Sequence, residues 1–199
     1  FLCLYFRIFS MNDFFIANNE SLPYVFIDQK IEVKQIQVKN LDRFSVYAIK
    51  IKEALESYSI EAITPLIEPQ ILNIMGLVAI VTTLSPKTFI ENTAQTKAIA
   101  ELVLKIIEVN EAFFKKEKKQ SRATKEKKEV SWFHSFTYLI KNGHRHEDIM
   151  NMTYGAFMHY LKEAQAFERQ QIKSYAIATR VANNAKQQGW DKYIKQLDG

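Results

Sequence analysis

Apolar residues change period along this chain, and the changes mark out its elements. Two β-rich runs between Pro23 and Val38 flank Asp28-Gln29-Lys30, which predicts a small hairpin. Ile31 and Val33 keep one parity while Ile36 and Val38 keep the other, so a bulge or the end of pairing is expected near Gln35. From Leu41 to Ser57 the step lengthens to three and four residues. Leu41, Phe44, Ala48, Ile51 and Leu55 then form one face of an amphipathic helix. Pro65 and Pro69 interrupt it. Pro69 suits the first turn of a new helix reaching about Leu84, apolar nearly all round and therefore expected at the centre of its domain. Ser85-Pro86 reads as an N-cap followed by a first helical residue, and Thr93 as the cap of a further long helix with Ile99, Leu102, Ile106, Val109 and Phe113 along its stripe.

The stripe stops at Phe114, and a polar, lysine-rich stretch over 115–130 reads as a solvated linker. Beyond it, Trp132, Phe133, Phe136, Leu139 and Ile140 predict a helix closed by Asn142-Gly143. A turn at 144–148 follows, and Thr153 is placed to cap a long helix running to about Ala185. Its stripe is Phe157, Tyr160, Leu161, Ala164 and Phe167, continued by Tyr175, Ala178 and Ala182 and weakened at 168–171. Such a face either awaits another chain or folds back on the N-terminal domain; periodicity leaves both open. The expected fold is mostly α, in the α+β class: a small N-terminal hairpin and a helical bundle over 11–114, the linker at 115–130, and a C-terminal helical segment at 131–199. Residues 1–10, FLCLYFRIFS, precede Met11 and are expected to be an upstream extension, with a short apolar strand or arm as the other reading.

Composition sharpens this picture in three places. With 5 glycines and 4 prolines in 199 residues, long helices are favoured over many short strands. The single cysteine, Cys3, excludes an internal disulfide and a cysteine zinc cluster and points to a reducing cytoplasm. The net charge of +5 matches the excess in Lys115–Glu129 alone, eight cations against three carboxylates, so nucleic acid is not an expected partner. The uncharged run at 71–84 has 14 residues, too few to span a bilayer, and no membrane association is expected.

Candidate chemistry is sparse. His144 and His146 form an H-x-H pair, yet the sequence names no further ligands, and solvated turn histidines are the plainer reading. There is no phosphate-binding glycine loop and no nucleophile motif. The carboxylates Glu147 and Asp148 stand at a helix start, where the macrodipole accounts for them. Neither an enzyme nor a cofactor or metal is expected.

Three pieces occur in a telling order: a short β segment followed by an amphipathic helix, IEVKQIQVKNLDRF at 31–44; a helix closing on VNEAFF at 109–114; and, after a polar linker, NGHRHEDIMNMTYGAFMHYLKEA at 142–164. The set resembles the tail assembly chaperones of long-tailed bacteriophages, especially the Mu-like type. That family often closes its N-terminal part on a V-N-x-x-F-F-like motif, and its later part carries a short helix, Met-Thr, then a helix with aromatics, here Met152-Thr153 through Phe157. The tail 170–199 has no counterpart. The resemblance implies a chain that binds the tape measure protein in the host cytoplasm, with the tail-tube protein and a second copy of itself as further candidate partners; it keeps the apolar helices of the tape measure protein soluble until the tube polymerises, and is absent from the mature virion. It also implies that Trp132, Phe136, Phe157, Tyr160, Leu161 and Phe167 bind the partner, and that lysine pairs such as Lys115-Lys116 suit a frameshift site. A structural virion component and a small nucleic-acid-binding regulator using the basic linker remain the competing readings.

Overall fold

The computed structural model describes residues 12–115, 131–184 and 186–197; the extension at 1–10 and the linker at 116–130 lie outside the described residues. The hairpin forms where alternation predicted it, with β1 (Leu22–Phe26) antiparallel to β2 (Gln29–Val33) and Tyr24 opposite Ile31. Its turn is one residue earlier than expected. Ile27 and Asp28 make the loop, with Ile27 at φ 50°, while Gln29 and Lys30 already pair with β1. A positive φ at the first loop residue is the backbone of a primed hairpin turn, which matches the strand twist. The fold is mostly α with this two-stranded hairpin near the N-terminus.

Helices follow the hairpin. A short helix α1 (Asp13–Ala17) precedes it, and α2 (Leu41–Ala54), α3 (Ile60–Ile63), α4 (Ile71–Val81), α5 (Pro86–Glu91), α6 (Thr96–Val109) and α7 (Glu111–Phe114) come after. The stripe predicted for α2 is its buried face: Leu41, Phe44, Ala48 and Ile51. Ser85 caps α5 by accepting from the Thr88 amide, with Pro86 as first helical residue. Two boundaries differ. Helix α6 starts at Thr96, because the Thr93 hydroxyl donates to the Ile90 carbonyl and serves the end of α5 instead. Helix α4 starts after Pro69 and stops at Val81, where Thr82 turns extended and bridges to Val33. The amide of Lys34 then donates to the Val81 carbonyl at 2.7 Å and that of Thr83 to the Glu32 carbonyl at 3.1 Å, so the free side of β2 is partly paired. Along α4, Ile74, Leu77, Val78 and Val81 are buried while Leu72 is exposed, so one face rather than the whole girth enters the core. Among the described residues, no single helix is long and apolar enough to cross a membrane.

The extended stretch after β2 holds this region together. At Gln35 the alternation breaks because Gln35 and Ile36 are both buried. The Gln35 side-chain amide donates to the carbonyls of Phe15 at 2.7 Å and Glu20 at 2.9 Å, which satisfies it inside. Asn110, at the break between α6 and α7, accepts from the Ile36 amide at 2.7 Å and donates to the carbonyls of Lys34 at 3.2 Å and Ile106 at 3.0 Å. Behind it, Phe114 is fully buried, edge-on to Phe44. The Lys52 ammonium and the Tyr58 hydroxyl take up the carbonyls of Phe113 and Phe114 at the helix end, and burial pushes the Tyr58 phenol above its ordinary range.

By contacts the described residues fall into two units, one ending at Met158 and the other beginning at His159. Residues 131–158 contribute to the first unit α8 (Trp132–Lys141), α9 (His146–Asn151) and the first turn of α10 (Tyr154–Asn184). The hydrogen bonds described below explain why they belong there. The second unit comprises the rest of α10 and α11 (Gln187–Leu197); none of its described side chains from His159 to Gln196 is buried.

Candidate functional site

The segment after residue 130 is built from local signals that the sequence displays. Ser131 caps α8 by accepting from the Phe133 amide. At its other end Gly143 stands at φ 95°, the Gly143 amide donates to the Ile140 carbonyl at 3.0 Å, and the His144 amide to that of Leu139 at 3.1 Å. This is the paired closure that a left-handed glycine after a helix allows.

Thr153 does two jobs. Its hydroxyl oxygen accepts from the Ala156 amide at 3.0 Å, capping α10, and its hydroxyl donates to the Ile16 carbonyl at 3.0 Å. Met152 is half-buried, and its carbonyl accepts from the Val38 amide at 3.0 Å. The Tyr154 amide donates to the Ile36 carbonyl at 2.7 Å, and Lys39 reaches the Asn151 side chain at 2.7 Å. The Met-Thr connector is thus sewn, backbone to backbone, onto the stretch that follows β2.

This seam carries an aromatic mound. Phe157 is fully buried at its base. Trp132 lies 6.0 Å from it and Phe136 5.9 Å, ring centre to ring centre, and Phe133 lies 6.2 Å beyond Phe136. Tyr154 links Trp132 at 6.4 Å to Phe113 at 6.0 Å, and Phe113 meets Phe44 at 5.0 Å. Contacts of this geometry each add about 0.5–1.5 kcal/mol beyond area burial, so the outer rings rest on a continuous stack reaching the core. The top stays open: Phe133 is 75% exposed, Trp132 49% and Ile140 45%.

Of the six residues expected to bind a partner, Trp132, Phe136 and Phe157 come together here, with Phe157 as the foundation and not the surface. Tyr160, Leu161 and Phe167 fall in the second unit, where Tyr160 and Phe167 are exposed and Leu161 half-buried. Phe133 and Ile140 were read as part of the α8 stripe and not as site residues. They stand seven residues apart and so share a face, displaced from the Leu139 side that enters the core.

Of the turn histidines, His146 opens α9 and sets its ring edge-on to Phe136 at 6.3 Å. Among the described residues no group of three or more His, Cys, Asp or Glu is placed to hold a metal ion. The three side-chain ion pairs among the described residues all lie in the first unit and on its surface. What this geometry offers chemically is an open, preorganised apolar surface. Comparison with protein-family models, curated proteins and solved structures finds no match for this chain.

Proposed function

We propose that the protein is a phage tail assembly chaperone that works by binding: it covers apolar helices of the tape measure protein in the host cytoplasm until the tail tube polymerises around them. One observation carries the reading beyond the resemblance in sequence. The exposed α8 surface, with Phe133 and Ile140 on one face and Trp132 at its edge, is backed by packed rings, as an interface anchor needs to be if little ordering entropy is to be lost on binding. Of the motif residues that carry the resemblance, Asn110 ties α6 to the stretch after β2, Gly143 closes α8, and Met152-Thr153 joins α10 to that same stretch and to α1. An amphipathic helix laying its apolar face against this exposed aromatic surface is the recognition mode that suits it.

Co-expression of the chain with a candidate tape measure protein, followed by pull-down and measurement of soluble yield, tests the proposal. Wild type is expected to co-purify and raise the yield. Phe133→Ala is expected to weaken capture by about 2 kcal/mol or more while its melting temperature stays close to wild type. A wild-type chain that neither captures the tape measure protein nor raises its yield ends the proposal.

A further inference from the structure

The second unit carries a charge pattern that the whole-chain sum conceals. From His159 to Leu197 there are seven lysines and arginines against Glu163, Glu168 and Asp191. Four of the cations, Lys162, Arg169, Lys173 and Arg180, sit on α10 at steps of seven, four and seven residues. At 3.6 residues per turn these steps return to one side of a helix, so the four form a single ridge about 27 Å long. All four are exposed, and no ion pair involves any of them among the described residues. Arg169 and Lys173 are like charges at i and i+4, an arrangement that weakens a helix unless an anion lies between them.

Tyr160, Ala164, Phe167, Tyr175 and Ala178 lie on the opposite side of the same helix. That opposition selects the partner. An acidic amphipathic helix or an anionic lipid surface would be drawn to the aromatic side and would leave the ridge facing away. A second copy of this unit would bring like charge to like charge. A partner that suits the ridge alone must carry closely spaced anions and need no apolar contact. We propose that this ridge binds the phosphate backbone of nucleic acid, without regard to base sequence. The contact stands independently of the chaperone reading, which rests on α8.

The test is fluorescence anisotropy of the full-length protein with a short mixed-sequence DNA duplex, titrated over a range of salt. The plot of log affinity against log salt is expected to be shallower by about 3–4 in the variant Lys162→Gln/Arg169→Gln/Lys173→Gln/Arg180→Gln than in wild type. A reference variant with four exposed cations of the first unit replaced, Lys30→Gln/Lys50→Gln/Lys87→Gln/Lys97→Gln, is expected to keep the wild-type slope. Far-UV circular dichroism checks that α10 persists. If the fourfold variant loses helix, Arg169→Gln/Lys173→Gln serves in its place, because it removes the repulsive pair, and its slope is expected to fall by about 2. Equal slopes in wild type and ridge variants, or an equal loss in the reference variant, would overturn the proposal. So would ridge-dependent binding to phosphatidylserine vesicles with ridge-independent binding to the duplex.

Discussion

Asn110→Ala should be one of the most damaging single substitutions at a polar position. The residue is 5% exposed, and its side chain satisfies three backbone groups, two on the distant stretch after β2 and one a turn back on α6. Alanine leaves the Ile36 amide facing a void where an acceptor stood at 2.7 Å, and the Lys34 carbonyl loses a donor at 3.2 Å. The Ile106 carbonyl keeps the backbone amide of residue 110 at 3.1 Å, so it is not orphaned. Each buried group left without a partner costs about 1–3 kcal/mol. Two such groups, one of them only partly buried, give an expected loss of about 2–4 kcal/mol. The assay is urea unfolding in a Trp190→Phe background, which leaves Trp132 as the reporter of the first unit. Asn184→Ala supplies the reference: Asn184 is exposed, with a single bond to the Arg180 carbonyl, and a change within about 0.5 kcal/mol is expected. Hydrogen exchange at the Ile36 amide should accelerate in the Asn110 variant more than global unfolding explains. A loss under about 1 kcal/mol with Ile36 protection unchanged would refute the assignment of Asn110 as the joint between α6 and the stretch after β2.

Phe157→Ala removes the base of the aromatic mound and is expected to cost about 3–5 kcal/mol, whereas Phe167→Ala, on a ring 61% exposed, should leave the urea midpoint nearly where it was. Equal effects of the two would show that exposure misjudges one of them. Gly143→Ala meets no atom within 4 Å, so its expected cost of about 1–2 kcal/mol comes from the backbone at φ 95° alone, readable as a shifted unfolding midpoint without a change in slope.

How legible was this in the sequence? Signals that act within a few residues could be read directly. Ser85-Pro86, Asn142-Gly143 and Thr153 each fix a helix end through atoms close in the chain, and each sits where its chemistry placed it. Thr93 was misread because a hydroxyl can serve the helix behind it as well as the one ahead. The role of Asn110 could not be derived from residue type, since a buried asparagine between two helical turns looks like any break until its partners, 74 and 76 residues away, are known. The candidate site divided for a similar reason. Helical spacing grouped Phe157 with Tyr160 and Phe167, but spacing reports which residues share a face and is silent on what covers it. Here Trp132 and Phe136 cover the first, while the others lie past Met158 in the second unit. The parity shift at Gln35 was visible; that a glutamine would be the buried member of the broken alternation was not.

The seam between Ile36–Val38 and Met152–Tyr154 sets a timetable for synthesis. The receiving side leaves the ribosome more than a hundred residues before the strand segment that closes it, because the Val38 amide and Ile36 carbonyl wait for Met152 and Tyr154. The hairpin and α2 to α7 supply nearly all of the buried cluster and can collapse as soon as they emerge. During that interval the nascent chain shows a short row of unanswered backbone donors and acceptors beside a finished core, the kind of edge on which other strands add. Translation that ended shortly after Phe114 would make the interval permanent, turning a passing stage of folding into a standing adhesive edge.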